Sequence, residues 1–254
     1  MGDTQWQKQR RAQIKSAKRK EEPPVESEVP LSSLGSGEMI SAKEITRDDV
    51  EELQRQMGQT GLEAGDPDAT PRNKLYVNSK KSLNINVYLT TDGETIHSPY
   101  SDWDSIGYTK QDAERAIKQI DSGMKPLVDS FKLYRYIDGD SLGMMLDDSR
   151  INNRTIQKLI NDLESGRKDI NDLGAALKNT DYTQKAYTST TYVASHGTYE
   201  SRPIMLNIVA TKGTPGIITA NHREHEVLLG HGLKYNFTGG VHIVNGQLVI
   251  DVYI

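Results

Sequence analysis

The chain has 254 residues, no cysteine and a formal net charge of −4 at pH 7. That length accommodates one sizeable domain or two small ones, and the lack of cysteine excludes disulfide frameworks, thiol nucleophiles and cysteine-ligated metal sites. No apolar run approaches the roughly 20 residues that span a bilayer, and the basic N-terminus lacks the apolar segment of a secretory signal.

The first 42 residues are predicted to form a flexible, basic tail. Residues 8 to 20 contain seven Lys or Arg and no acidic residue, and residues 21 to 28 contain four Glu. The stretch has few large apolar side chains to bury, so we expect disorder. Its positive charge suits contact with nucleic acid or another polyanion, but a solvated tail fits the composition equally well.

A helix and a loop are predicted between the tail and the main domain, over residues 43–74. Four apolar residues recur at helical spacing: Ile45, Val50, Leu53 and Met57. The sequence GDPDATPRN at 65–73 is typical of a loop. We therefore place the main folded domain at residues 75–254.

The first half of that domain contains mainly helix signals. Residues 83–89 (LNINVYL) alternate like a strand, whereas Thr109 and Asp112 have the spacing of a capping box and predict a helix ending near Gly123. FKLYRYI at 131–137 predicts a strand. Two short helices, separated at Gly166, are predicted between residues 153 and 178.

Strand signals dominate from Tyr187 onward. The predicted strands are YTSTTYV, RPIMLNIVAT, GIIT, EVLL, LKYNF and VHIVNGQLVIDVYI, and the last contains an Asn245-Gly246 hairpin turn. Helices followed by strands predict an α+β domain rather than a doubly wound sheet.

Three short motifs carry residues suited to chemistry. They are Tyr134-Arg135, Ser189-Thr190-Thr191 and Glu224-His225-Glu226. Residues two apart on a strand share a face, so the two glutamates would face one cleft, where neighbouring carboxylates tend to raise one pKa. Each motif alone also has a plain interpretation, as a surface arginine, β-forming hydroxyls or solvated glutamates.

In this order the motifs resemble the Arg / Ser-Thr-Ser / Glu-x-Glu signature of mono-ADP-ribosyltransferases. The resemblance is to the class of the actin-modifying binary toxins and of phage-encoded transferases. It implies two packed antiparallel sheets with flanking helices, a helix rather than a strand at 83–89, and NAD as substrate. It also implies that Glu224 directs transfer to arginine on a target protein, whereas Gln there would indicate asparagine.

The resemblance assigns the catalytic roles residue by residue. Glu226 would hold the nicotinamide ribose and stabilise the oxocarbenium ion that forms as nicotinamide leaves. Glu224 would orient and deprotonate the acceptor guanidinium. Ser189 would hydrogen-bond Glu226, and Arg135 would contact an NAD phosphate.

The resemblance also implies further NAD-binding positions. The backbone of Tyr136 would bind the nicotinamide amide, and Thr190 would support the pocket. Tyr199 would pack on nicotinamide, with Tyr192 as the competing aromatic residue. Tyr88 would line the phosphate side.

Alternatives remain at this stage. Water in place of the acceptor would give NAD glycohydrolase activity. A second alternative, from a different functional class, is a virion-associated or structural protein that retains an inactive transferase fold. We expect no metal site, because His222, His225 and His231 lack the spacing of a zinc motif. We expect action in the cytoplasm of the producing or target cell, after virion delivery or secretion without a signal peptide.

Overall fold

The computed structural model describes residues 42–56, 79–97, 107–194, 199, 201–219 and 225–254. The predicted tail up to residue 41, the loop at 65–73 and Glu224 lie outside the described residues. Within the described part, no helix has the length and apolar character needed to cross a membrane.

Six helices occur in the described residues. They are α1 (Arg47–Gln56), α2 (Ser79–Thr90), α3 (Lys110–Gly123), α4 (Gly139–Met145), α5 (Asn153–Glu164) and α6 (Ile170–Leu177). The predicted capping box is confirmed: the Thr109 side chain accepts from the Asp112 amide, and the Thr109 amide donates to the Asp112 carboxylate at 3.0 Å. Helix α2 confirms the helical interpretation of residues 83–89.

Helix α4 was not predicted, because its sequence GDSLGMM contains two glycines, which are unfavourable inside helices. Close packing explains both glycines. A Cβ on Gly139 would lie 2.3 Å from the Asn152 carbonyl carbon, and one on Gly143 would lie 2.6 Å from the Ile151 oxygen. The glycines therefore allow α4 to approach the chain leading into α5, and this tertiary contact outweighs the low local propensity.

Nine strands form one hydrogen-bonded sheet in the described residues, in the order β1-β6-β7-β4-β2-β5-β9-β8-β3. Their bounds are β1 Lys125–Pro126, β2 Phe131–Ile137, β3 Asp181–Gln184, β4 Thr188–Thr191, β5 Ile204–Ala210, β6 Pro215–Ile218, β7 Glu226–Leu229, β8 Leu233–Val244 and β9 Gln247–Tyr253. The predicted hairpin joins β8 to β9, where Asn245 and Gly246 have φ of 52° and 71°.

The α+β class is confirmed, and the sheet shows how its two halves connect. Strands β2 and β4 share the single residue pair Tyr134–Thr191, whereas β2 and β5 pair along the whole of β2. The expected antiparallel arrangement holds except between β5 and β9, which are parallel. The narrow joint between β2 and β4 is the place where the three motifs meet.

The segment before α1 packs on this domain. Lys43 forms a parallel bridge with Phe131, and Ile45 is buried in the core. Glu44 accepts a 2.8 Å hydrogen bond from the Tyr134 hydroxyl. Residues 43–45 thus lie against β2, the strand that carries Arg135.

Candidate active site

The three motif strands come together through two consecutive residue pairs. Tyr134 on β2 lies opposite Thr191 on β4, and Thr191 lies opposite Glu226 on β7. A pocket at this junction is lined by residues of β2, of β4 and of the β4–β5 connection. These residues are Tyr134, Arg135, Tyr136, Ser189, Thr190, Thr191, Tyr199 and Arg202. Glu226 begins the strand beside it.

Glu226 is held in a fixed position. The residue is only 4% exposed. Its Oε2 accepts a 2.6 Å hydrogen bond from the hydroxyl of Thr219, which is 2% exposed. The Thr219 amide also donates to the Glu226 carbonyl at 3.2 Å. A buried carboxylate needs such donors to offset lost hydration, so Thr219 positions this acid.

Sequence reasoning missed Thr219, although a signal exists. Strands β6 and β7 form an antiparallel pair with Ile218 opposite Val227. The residue after Ile218 must then lie opposite the residue before Val227. Recognising GIIT and EVLL as hairpin partners would have placed Thr219 beside Glu226.

The hydroxyl residues of β4 serve two faces. Thr190 donates a buried 2.6 Å hydrogen bond to the Val227 carbonyl and so ties β4 to β7. Ser189 and Thr191 alternate with Thr190 and share the face of Glu226. Ser189 is the diagonal neighbour of Glu226, a separation that long side chains bridge. The hydrogen bond between Ser189 and Glu226 stays a prediction.

Arg135 lines the pocket and carries a buried cationic donor. Its Nη1 is buried and has no hydrogen-bond partner among the described residues. Burial raises the pKa of the nearby Tyr235 hydroxyl, an effect that the Arg135 guanidinium opposes. A buried, unsatisfied guanidinium nitrogen is costly, and a planar donor fork suits a phosphate. The residue therefore fits the predicted pyrophosphate contact.

Arg202 is a pocket residue that sequence reasoning missed. Its Nη1 donates to the Tyr136 carbonyl at 2.8 Å, and its guanidinium carbon lies 4.8 Å from the centre of the Tyr199 ring. That is cation–π distance. The sequence carries no local signal for this contact, because the β4–β5 connection must fold back over β2. The carbonyl of Tyr136, whose backbone was predicted to bind the nicotinamide amide, thus accepts a hydrogen bond from Arg202, and the predicted role stays a prediction.

The two aromatic candidates for nicotinamide packing are separated by the structure. Tyr199 is 41% exposed and lines the pocket. Tyr192 instead contacts His225, with its hydroxyl 3.1 Å from Nδ1 and the two rings edge to face at 5.2 Å. The pocket geometry therefore favours Tyr199 for the stacking role.

The geometry before Glu226 corrects one sequence argument. The same-face prediction for Glu224 and Glu226 assumed an extended chain through His225. Strand β7 begins at Glu226, and His225 has a left-handed φ of 46°. The chain turns there, so strand alternation does not apply to Glu224. The position of Glu224 lies outside the described residues and its role stays a prediction.

Tyr88 has a partner away from these residues. Its hydroxyl donates to Glu114 on α3 at 2.6 Å, and this hydrogen bond, with some burial, raises the pKa of Tyr88. The lining residues named above, within the described part, do not include Tyr88. Its predicted place on the phosphate side remains a prediction.

Comparisons with known proteins find a matching family model and solved structures of similar fold. The family model for the ADP-ribosyltransferase exoenzyme matches residues 40–252. Solved structures with the same fold include Plx2a, an ADP-ribosyltransferase toxin from Paenibacillus larvae, at 19% identity and a TM-score of 0.55, covering 82% of this chain and 93% of that one.

Two further structures were solved with a nicotinamide dinucleotide. C3stau2 from S. aureus with NAD is 20% identical, with a TM-score of 0.52 over 84% of this chain and 97% of that one. The toxin BECa of C. perfringens with NADH is 18% identical, with a TM-score of 0.55 over 80% of this chain and 46% of that one. Comparison with curated protein sequences finds no match.

Proposed function

The chain belongs to the ADP-ribosyltransferase exoenzyme family, and from that premise we propose that it transfers ADP-ribose from NAD to an arginine side chain of a target protein. The observation that carries the proposal is the buried Glu226 carboxylate, fixed by Thr219, beside a pocket that is lined by Arg135, whose guanidinium carries a buried, unsatisfied nitrogen. The reaction needs a cationic donor to hold a phosphate of NAD, which Arg135 would supply. It also needs a fixed negative charge beside the ribose, which Glu226 would supply.

The first step breaks the bond between the nicotinamide nitrogen and the ribose. Nicotinamide leaves as a neutral ring, and positive charge develops on the ribose. The Glu226 carboxylate stabilises that positive charge. Because Thr219 holds the carboxylate in place before the reaction, the site needs little reorganisation to reach the transition state. Arg135 holds a phosphate of the ADP half as a charge-assisted donor. These residues orient the substrate and weaken the bond.

The second step forms a bond from the ribose to a guanidine nitrogen, which loses a proton. A free arginine is protonated at neutral pH and is a poor nucleophile, so the acceptor needs a carboxylate to orient it and accept its proton. We assign this role to Glu224. Water would take the place of arginine when no acceptor is bound, which would give NAD glycohydrolase activity as a side reaction.

The test measures two products with NAD labelled in the adenylate half. Purified protein is incubated with a cell lysate, and released nicotinamide and labelled protein are quantified together. Glu224→Gln is expected to keep nicotinamide release and to lose protein labelling. Agmatine, a small guanidine, should be labelled by wild type. The matched control is Glu164→Gln, at the exposed end of α5, which should behave as wild type.

The other outcomes separate the alternatives. Nicotinamide release without labelling of protein or agmatine would establish an NAD glycohydrolase. Equal labelling by Glu224→Gln would exclude arginine activation by this residue. No release from a folded protein, with several lysates, would favour the structural alternative, including a virion-associated protein with an inactive site.

Thr219→Val is expected to lower the rate of nicotinamide release by about 10–100-fold, because a hydrogen bond to a charged group contributes roughly 1.5–3 kcal/mol. Valine keeps the shape of threonine but leaves the Glu226 carboxylate without its 2.6 Å donor. Initial rates at saturating NAD would measure the change.

Thr219→Ser is the matched control, since it keeps the hydroxyl and should retain most of the rate. Thermal unfolding of both variants would show that the fold is intact. A rate for Thr219→Val equal to that of wild type would mean that Thr219 does not position Glu226 for catalysis.

A further inference from the structure

Tyr192 and His225 are joined by three contacts at the entrance of β7. The Tyr192 amide donates to the His225 carbonyl at 3.2 Å, the hydroxyl lies 3.1 Å from Nδ1, and the rings meet edge to face with centroids 5.2 Å apart. Tyr192 directly follows β4, and His225 directly precedes β7. The pair therefore extends the β4–β7 contact one step beyond Thr191 and Glu226.

His225 adopts a backbone conformation that residues with a Cβ seldom adopt, although histidine tolerates it better than most. Its φ of 46° lies in the left-handed region, which costs free energy for a residue with a Cβ and persists where surrounding contacts hold it. The contacts with Tyr192 supply such support from the backbone and the side chain. Burial raises the pKa of the Tyr192 hydroxyl, so it stays protonated at neutral pH and either imidazole tautomer can pair with it.

We propose that Tyr192 and His225 form a positioning pair, which fixes the turn into β7 and thereby determines how the ADP-ribosyl group is divided between a protein acceptor and water. This rests on the proposed function. His225 is covalently joined on one side to Glu226 and on the other to the residue assigned to the acceptor. A change in its backbone angles moves these neighbours relative to each other, because Glu226 itself is anchored by Thr219.

The anchoring of Glu226 explains why the two products should respond differently. Glu226 is held by Thr219 and by its pairing with Thr191, neither of which depends on the imidazole. Loosening the turn should therefore disturb the acceptor side more than the bond-breaking side. Water needs no orientation by this turn, so hydrolysis should take a larger share of the product.

The experiment measures the ratio of labelled protein to released nicotinamide in the intact chain. The variants are Tyr192→Phe, which keeps the ring and removes the hydroxyl, His225→Ala, and the double variant. One lost neutral hydrogen bond should lower the ratio by about fivefold in Tyr192→Phe. Because the Tyr192 hydroxyl acts through its contact with the His225 imidazole, which His225→Ala already removes, the double variant should be no worse than His225→Ala alone.

His225→Asn is the conservative control. Asparagine tolerates the left-handed region better than most residues, and its amide nitrogen can approach the Tyr192 hydroxyl, so it should restore part of the ratio that His225→Ala loses. A purely structural role would instead lower nicotinamide release and labelling together. Thermal unfolding temperatures identify any variant whose fold is impaired, and the remaining variants then decide the result.

Three results would overturn the inference. The ratio in Tyr192→Phe could stay within twofold of wild type, the effects in the double variant could add, or release and labelling could fall in parallel. If wild type labels protein while the ratio is unaffected, the proposed transfer stands and the positioning pair fails. If wild type releases nicotinamide without labelling any acceptor, the proposed transfer fails and the inference falls with it.

Discussion

Glu226→Gln is expected to lower the rate of nicotinamide release by about 10²–10³-fold, the loss seen when a preorganised electrostatic group is removed from an active site. Glutamine has the same shape and its carbonyl can still accept from Thr219, so packing at this 4%-exposed position should change little. What is lost is the negative charge beside the developing ribose cation. Initial rates with saturating NAD would measure the effect.

Two controls make this result specific to Glu226. Glu164→Gln makes the same chemical change at the exposed end of α5 and should leave the rate unchanged. NAD affinity, measured by calorimetry on both variants, should stay within a fewfold of wild type, because the charge acts mainly on the transition state. A folded Glu226→Gln protein that turned over NAD at the wild-type rate would remove Glu226 from the catalytic role.

Local signals in the sequence were sufficient for the elements whose ends are set by short-range hydrogen bonds. The Thr109–Asp112 box predicted the start of α3, and Asn245-Gly246 predicted the β8–β9 turn. Both depend on residues within four positions of each other. Helix α4 was missed by the same approach, since Gly139 and Gly143 allow close packing against the segment that leads into α5, outside the helix itself.

The sequence predicted the motif residues of the candidate site but not the residues that contact them. Arg135, Ser189 and Glu226 were recognised by type and order, and the sheet brings their three strands to one joint. Thr219 and Arg202 were missed because their roles depend on strand register and on a connection folding back over β2. Such contacts join residues that carry no distinctive pattern of their own.

The turn at His225 shows a different limit. An apolar run after Glu226 correctly predicted a strand, but alternation was extended two residues too far. His225 has a left-handed φ, and its side chain contacts Tyr192, 33 positions away in sequence. Histidine is enriched among non-glycine residues of positive φ, but that preference is too weak to predict the turn from the sequence.

Arg135→Lys is expected to raise the KM for NAD by about 10–100-fold, corresponding to roughly 1.5–3 kcal/mol for a charge-assisted hydrogen bond. Lysine keeps the positive charge but replaces the planar donor fork with a single ammonium. Initial rates at varied NAD, with calorimetric binding of NAD, would measure the change. The turnover rate should fall less than the affinity, since a phosphate contact acts on bound substrate and transition state alike.

The environment of Arg135 makes the lysine substitution informative. The arginine occupies β2 between two buried tyrosines, and its Nη1 has no partner in the described part of the chain. An ammonium would not reproduce the second donor direction of the guanidinium, so the loss measures geometry rather than charge. Arg154→Lys, on the exposed face of α5, is the matched control and should leave KM unchanged.

Salt dependence separates a phosphate contact from a packing role for Arg135. If Arg135 binds a phosphate of NAD, the wild-type KM should rise with ionic strength, and a partly buried pair should be screened less than an exposed one. Arg135→Leu removes the charge and should flatten that dependence as well as raise KM. If KM and its salt dependence were unchanged in both variants, Arg135 would support β2 rather than bind substrate. The unsatisfied Nη1 would then need an explanation within the fold.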